Sequence, residues 1–173
     1  MRTPKGVRPT QDRVRKGLFD VLGGDVPGRR VADLFAGSGA LGIEALSRGA
    51  ASALFVEEGA GAVRTILANL TDLGLMGDTG RVAEVWRADY RQALRRARRE
   101  GRTFDLILMD PPYREGLLPE ALVALAGAEV LSREGLVVAE AEARLSAPEV
   151  DRLRLIDERV YGGTQLMFWE VLP

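Results

Sequence analysis

The sequence predicts an α/β fold, with a seven-stranded, mostly parallel sheet, helices on both faces and a C-terminal antiparallel hairpin. Three observations lead to this prediction. After Pro27, strand-like and helical patterns alternate, which indicates βαβ units and a parallel sheet. Near-continuous apolar runs such as Leu106-Ile-Leu-Met109 are typical of strands buried on both faces. Two strand-like runs joined at Gly162-Gly163 close the sequence and predict a hairpin.

The elements follow from hydrophobic periodicity and from turn residues. The first 26 residues are expected to form a basic arm and one helix, and residues 27–173 to form a single globular domain. Thr10 is a candidate cap for a helix over 11–22, which Gly23-Gly24 should end. Strands are predicted over 30–35, 53–57, 81–87, 104–109, 136–140, 152–161 and 165–172, and further helices over 40–48, 60–73, 90–100 and 119–128.

Composition excludes several kinds of chemistry. The chain of 173 residues contains no Cys and no His. A Ser-His or Cys-His nucleophile cannot be built, nor can an ordinary Cys/His zinc site, so no metal is expected. Methylation at carbon 5 of a pyrimidine, which needs a Cys nucleophile, is excluded as well. The sequence has neither an apolar run long enough to span a membrane nor a signal peptide, so a cytoplasmic protein is expected.

A Gly-rich segment, Gly37-Ser-Gly39-Ala-Leu-Gly42, follows the first predicted strand and opens a helix. Glycines allow a tight turn and a close approach of a ligand to the backbone, and the free N–H groups of the helix start face that ligand. The pattern is shared by NAD-binding and S-adenosylmethionine-binding folds. By itself it does not distinguish between them.

Acidic residues around this segment favour S-adenosylmethionine. Asp33, four residues before the first glycine, could bind the cationic amino group of a methionine moiety, whereas it would repel a pyrophosphate. Glu57 ends the second strand and is the candidate ribose ligand, preferred over Glu58 because alternation along the strand should point Glu58 away. Asp89 could accept from an adenine amino group, cap the helix that follows, or do both. The predicted cofactor-binding residues are Asp33, Phe35, Ala36, Gly37, Ser38, Gly39, Gly42, Glu57, Asp89 and Tyr90.

Asp110-Pro-Pro-Tyr113 stands directly after the fourth predicted strand, at the edge where open parallel sheets bind ligands. The amine of guanine or adenine is a poor nucleophile because its lone pair is delocalised into the ring. The Asp110 carboxylate and the Pro111 carbonyl could hold its two hydrogens and free that lone pair. Pro112 stiffens the turn, and Tyr113 could stack on a flipped base. Asp110, Pro111, Pro112 and Tyr113 are therefore the candidate catalytic residues.

Three segments together resemble the bacterial 16S ribosomal RNA guanine-N2 methyltransferases: Arg8-Pro-Thr-Gln-Asp-Arg-Val-Arg15, the segment from Asp33 to Gly49, and Asp110-Pro-Pro-Tyr113. The resemblance covers about residues 7–172 and implies a Rossmann-like class I methyltransferase fold. It implies S-adenosylmethionine as donor and, as substrate, a guanine of 16S rRNA within an assembling small subunit. It also places Arg8, Thr10 and Arg13 near the active site; with Arg15, they are the candidate RNA-binding residues.

Alternatives remain open at this point. Methyltransferases of DNA adenine and of protein glutamine hold their target amine with the same kind of Asp-Pro-Pro-Tyr motif. The chain has no room for a separate DNA-recognition region. A NAD-dependent oxidoreductase would leave Asp110–Tyr113 unexplained, and a non-catalytic RNA-binding protein is a third class. Six arginines within residues 91–102 indicate either a patch that attracts phosphate or a solvated helix face.

Overall fold

The structure, a computed structural model, describes residues 9–76, 82–113 and 116–172, with the backbone alone at positions 9 and 10. Its sheet is formed by β1 (Arg30–Asp33), β2 (Ser52–Glu57), β3 (Val82–Arg87), β4 (Phe104–Met109), β5 (Leu131–Glu142), β6 (Leu153–Tyr161) and β7 (Thr164–Val171). The α-helices are α1 (Pro9–Leu22), α2 (Ala40–Ser47), α3 (Ala60–Asp72), α4 (Tyr90–Arg99) and α5 (Leu117–Ala128).

The seven strands lie in the order β3-β2-β1-β4-β5-β7-β6. The first five pair in parallel, whereas β7 runs antiparallel to both β5 and β6. Long βα crossovers join parallel neighbours, and the short Gly162-Gly163 turn joins the hairpin. The predicted fold class is therefore confirmed.

Two apolar clusters cover the two faces of the sheet. Leu106 and Leu108 of β4 point into a cluster with α1, α2 and α3, whereas Ile107 and Met109 point into a cluster with α4 and α5. This alternation explains why β4 reads as an unbroken apolar run, because both of its faces are buried. Phe19 of α1 is fully buried, so the first helix shares a core with the sheet. The division of the chain at residue 26 stays a prediction.

Several predicted boundaries were wrong at the element ends. Helix α1 begins at Pro9, so Thr10 lies inside the helix and not at its cap; a proline is tolerated there because first-turn N–H groups have no intrahelical partner. Strand β5 begins at Leu131, five residues earlier than predicted, because Arg133, Glu134 and Gly135 hide its start in the sequence. The predicted arm over residues 1–8 and the start of the third strand at residue 81 lie outside the described residues.

Candidate active site

A cavity of about 940 Å³ opens at the carboxyl ends of the parallel strands. Strand β1 has β2 on one side and β4 on the other, so the connections leave it in opposite directions, and ligands of open α/β sheets bind at such a point. Nine predicted site residues line the cavity: Phe35, Gly37, Glu57, Asp89, Tyr90, Asp110, Pro111, Pro112 and Tyr113.

The other predicted site residues that the structure describes do not line the cavity. Arg13 is exposed on α1, and Arg15 forms an ion pair with Asp12 at 2.8 Å, so neither lines the cavity. Arg8 and the side chain of Thr10 lie outside the described residues. The remaining five belong to the Gly-rich loop and the acid before it, and none of them lines the cavity: Asp33, Ala36, Ser38, Gly39 and Gly42.

The Gly-rich loop needs glycine at specific positions. Gly37 and Gly39 have φ angles of 54° and 83°, in the left-handed region where a side chain is strained. Gly39 is the N-cap residue of α2. A Cβ on Gly42 would lie 2.3 Å from a ring carbon of Phe55, so this glycine lets α2 pack directly on β2.

Asp33 lies buried beneath the loop, with 1% of its surface exposed. Its Oδ2 accepts a hydrogen bond from the backbone N–H of Gly42 at 3.1 Å, whereas its Oδ1 has no hydrogen-bond partner among the described residues. Burial, together with the charges of Asp110 and Glu57, raises the pKa of Asp33 to about 7. A carboxylate left half-satisfied in this way suits a cationic group nearby.

Glu57 holds the loop from the end of β2. Its carboxylate accepts N–H groups of Gly37 at 2.9 Å and of Gly59 at 2.7 Å, which fixes it at the cavity wall. A carboxylate has about four acceptor positions, so Glu57 still has capacity for the hydroxyls of a ribose. The expectation that Glu58 points away is wrong. Strand β2 ends at Glu57, alternation no longer applies at the next residue, and Glu58 also lines the cavity.

Asp89 and Tyr90 begin α4 beside the cavity. Asp89 is the N-cap, and its carboxylate accepts the N–H of Gln92 at 3.1 Å, so the capping role is present. The rings of Phe35 and Tyr90 lie 5.2 Å apart at an angle of 42°. An aromatic pair beside an acid offers a stacking surface with one polar acceptor, which is suited to a purine.

Asp110 and Tyr113 follow β4, which flanks β1 on the side away from β2 and Glu57. Burial raises the pKa of Asp110 to about 6. Tyr113 is 58% exposed, and its hydroxyl lies 3.3 Å from Oγ1 of Thr164 at the start of β7. An exposed ring tethered at its hydroxyl presents a flat face at the cavity mouth.

Sequence reasoning missed several residues at the site. Glu140 ends the predicted fifth strand and lines the cavity, so the rule that found Asp110 could have found it. Thr164 carries no such signal, since only the pairing of β7 beside β5 brings it to the site. Gln11 on α1 lines the cavity too. Asn69 on α3 donates to the Ser38 carbonyl at 3.0 Å and holds the Gly-rich loop from behind.

The part of the cavity lining that the structure describes is strongly acidic. Among these described residues, Arg91 is the one cationic side chain, and it pairs with Glu120 at 2.5 Å. Such a surface attracts cationic ligands and repels a pyrophosphate. The acidic lining residues are Glu57, Glu58, Asp89, Asp110, Glu120 and Glu140.

The arginines of α4 and the turn after it are mostly engaged within the chain. Arg102 makes two hydrogen bonds of 2.9 Å with Glu84, and Arg96 lies 3.8 Å above the Trp86 ring. Arg96 and Arg98 also pair with Glu100 and Glu129. With Arg91, four of the six have acidic partners, which favours the interpretation as a structural helix face.

The described residues show neither a membrane span nor a metal cluster. Within these ranges no helix has both the length and the apolar character needed to cross a bilayer. In the same part of the chain, no group of three or more Asp or Glu side chains is placed to hold a metal ion.

Residues 1–170 match the model of the family described as conserved hypothetical protein 95. The chain belongs to this family. One relative is "Putative rRNA methyltransferase YlbH" of Bacillus subtilis. It is 37% identical to this chain over 164 residues, which span 94% of this chain and 87% of the relative. "Ribosomal RNA small subunit methyltransferase D" of Escherichia coli is 36% identical over 145 residues, covering 84% of this chain and 69% of the relative.

Solved structures of similar proteins have the same fold. "Putative methyltransferase yhhF" from Escherichia coli matches with a TM-score of 0.83 and 32% identity, covering 99% of this family member and 91% of that chain. A Thermus thermophilus 16S rRNA N2 G1207 methyltransferase, solved with AdoMet and guanosine, matches with a TM-score of 0.71 over 98% of this chain and 45% of that one. At 24% identity, the second likeness concerns the fold alone.

Proposed function

We propose that this chain transfers a methyl group from S-adenosylmethionine to the exocyclic N2 amine of a guanine in 16S ribosomal RNA. The observation that carries the proposal is that Asp110-Pro-Pro-Tyr113 and the Gly-rich loop with Glu57 border one acidic cavity at the switch point of the sheet. Two relatives, one named as an rRNA methyltransferase and one as a small-subunit rRNA methyltransferase, support the same class of substrate.

The residues present fit S-adenosylmethionine. Asp33 supplies negative charge beneath the loop toward an ammonium group, and Glu57 offers acceptors to a ribose. Phe35, Tyr90 and Asp89 offer a ring surface and an acceptor to an adenine. The cofactor supplies an electrophilic methyl group on a sulfonium. The acids lining the cavity favour this cation and disfavour a dinucleotide, which leaves the oxidoreductase alternative without support.

Asp110 and the Pro111 carbonyl accept the two hydrogens of the target amine, turning its lone pair out of conjugation with the ring. That lone pair forms the new nitrogen–carbon bond, and the electron pair of the breaking carbon–sulfur bond stays on sulfur. The nitrogen then loses a proton to Asp110, whose raised pKa of about 6 suits it as an acceptor near neutral pH. Most of the rate enhancement comes from alignment of the two reacting groups.

Tyr113 stacks on the target base after the base leaves the RNA helix, because its exposed ring lies at the cavity mouth. Arg8, Thr10, Arg13 and Arg15 form the RNA-binding segment in this proposal. Arg13 is exposed on α1, the helix whose Gln11 lines the cavity, so phosphate contacts there would lie next to the flipped base. The substrate is the RNA of an assembling small subunit in the cytoplasm.

Transfer of labelled methyl groups tests the substrate class. Small ribosomal subunits from a strain that lacks the related methyltransferase are incubated with the protein and tritiated S-adenosylmethionine. Large subunits, double-stranded DNA and a glutamine-containing protein substrate serve as parallel acceptors. We expect label only in the RNA of small subunits. Label in DNA or protein, with none in the small-subunit RNA, would contradict the proposal.

A further inference from the structure

A second carboxylate stands beside Asp110 at the cavity. Met109 of β4 and Ala139 of β5 are paired in register, and the next residues of these two strands are Asp110 and Glu140. Because neighbouring strands lie about 4.8 Å apart and paired residues point to the same side, the two carboxylates form an adjacent pair. Both side chains line the cavity.

Glu140 has no ion-pair partner among the described residues. It is partly buried, and the Tyr113 hydroxyl is the side-chain hydrogen-bond donor beside it. Burial and the charge of Asp110 raise the pKa of Glu140 to about 7, while the neighbouring Tyr113 hydroxyl opposes this shift. Two neighbouring acids without a cation lower the free energy of unfolding, because their charges repel each other and are partly desolvated. A ligand that donates hydrogen bonds to both would offset this cost.

Guanine offers two such donors side by side. Its N1–H and its N2 amine hydrogens lie on one edge, whereas adenine and cytosine present a ring-nitrogen acceptor next to their amines. Two adjacent carboxylates therefore match guanine, and a ring-nitrogen acceptor would face a carboxylate oxygen and be repelled. A site built to receive a hydrogen bond discriminates strongly against an analogue that lacks the donor.

We propose that Glu140 accepts the N1–H of the target base while Asp110 accepts an N2–H, so that Glu140 selects guanine over the other amino-bearing bases. This inference rests on the proposed function and names the residue that determines its base specificity. The Asp-Pro-Pro-Tyr motif is common to chemistry at several kinds of amine. In this proposal, the motif orients the amine for attack, and Glu140 on the neighbouring strand distinguishes guanine from the other bases.

The test uses 2-aminopurine, which keeps the 2-amino group of guanine but has an acceptor at N1. Small subunits are reconstituted from RNA that carries either guanine or 2-aminopurine at the methylated nucleotide. For the wild-type protein, we expect kcat/KM to be at least about 100-fold lower on 2-aminopurine. In Glu140→Gln, the amide can donate to the N1 of 2-aminopurine. The preference for guanine should therefore fall by about 10-fold or more.

Glu142→Gln is the matched control. Glu142 lies two residues along β5, exposed and outside the cavity lining, so its preference should equal that of the wild type. Equal wild-type rates on the two bases would overturn the inference without reliance on any variant. An unchanged preference in a folded Glu140→Gln that binds S-adenosylhomocysteine would overturn it as well. A wild-type protein that methylates no guanine at all would instead contradict the proposed function.

Discussion

One buried acid and two half-buried acids define the site at the scale of single residues. Asp33, Asp110 and Glu140 all have a raised pKa, and burial is the first cause in each case. Perturbed acids grouped at a cavity are typical of functional sites, because a fold gains nothing from burying them. In the mechanism that we propose, Asp33 holds the Gly-rich loop, Asp110 accepts from the target amine, and Glu140 accepts from the ring of the base.

Asp110→Ala should abolish methyl transfer and spare cofactor binding. The change removes one of the two acceptors that orient the amine and the acceptor of its proton, so we expect kcat to fall by about 100-fold or more. The affinity for S-adenosylhomocysteine, measured by calorimetry, should change by no more than a few-fold. Asp151→Ala, in an exposed turn outside the cavity lining, is the control and should match the wild type. Normal transfer by Asp110→Ala would refute the assigned role.

Single-residue predictions from the sequence succeeded where the residue type itself carries the chemistry. Ligands of parallel sheets bind at the carboxyl ends of the strands, and from this rule the sequence predicted that Glu57, Asp89 and Asp110 share one site. All three line the same cavity in the structure. The prediction failed at Glu58, which follows the last residue of β2, where the alternation of a strand no longer applies. It gave no information on Thr164, which reaches Tyr113 only through long-range strand pairing.

At the scale of elements, the connection from β1 to α2 combines cofactor chemistry with packing. Gly37 and Gly39 allow the turn, Asp33 and Glu57 hold its N–H groups, and Gly42 lets the helix lie on Phe55. The sequence predicted the turn and its glycines, because this pattern is local. It did not predict the brace from Asn69, which comes from α3, 31 residues away from Ser38.

Gly42→Ala should destabilise the protein. The added methyl would lie 2.3 Å from the Phe55 ring, so α2 must shift against β2, at a cost of about 1–3 kcal/mol. We expect thermal unfolding to begin several degrees lower. Gly24→Ala is the control, because a Cβ there meets nothing within 4 Å. Equal unfolding temperatures for the two variants would show that α2 and β2 are not in the close contact described.

The boundaries of elements were predictable only in part. The apolar run of β4 fixed both of its ends correctly, since a doubly buried strand contrasts sharply with its flanks. Strand β5 was missed over its first five residues because that stretch carries exposed charges and a glycine. Its pairing with β4 shifts register between Phe104 and Leu106, an irregularity without a sequence signal.

At the scale of the whole molecule, the site makes stability depend on pH. An acid whose pKa is raised by folding binds more protons in the native state than in the unfolded state, so stability falls as pH rises through that interval. The raised pKa values of three acids predict that this stability is lost between about pH 4 and pH 7; the acids are Asp33, Asp110 and Glu140. Asp105, whose pKa Arg30 lowers, acts in the opposite direction and below that interval.

Denaturant unfolding at pH 4.5, 6 and 8 tests this expectation. Glu140→Gln removes one of the raised acids, so its free energy of unfolding should exceed that of the wild type increasingly as pH rises. We expect a gain on the order of 1 kcal/mol at pH 8, after allowance for solvent screening of this partly exposed group. Parallel pH profiles for the variant and the wild type would show that Glu140 does not titrate in this interval.

The order of the strands makes the site, whereas the sequence predicted the parallel sheet and its terminal hairpin without that order. Alternating strands and helices predicted a parallel sheet, and the carboxyl ends of its strands then had to meet. The final hairpin was also predicted, but not that β7 would insert between β5 and β6 and bring Thr164 to the cavity. That placement depends on packing across the whole sheet, which no local pattern records.

The identity of the methylated nucleoside tests the central claim most directly. Small subunits from the strain lacking the related methyltransferase are treated with the protein and deuterated-methyl S-adenosylmethionine, and their RNA is digested for mass spectrometry of nucleosides. The structure and the proposed chemistry predict a labelled N2-methylguanosine that is absent when Asp110→Ala replaces the wild type. Label in N6-methyladenosine, or in no nucleoside, would contradict them.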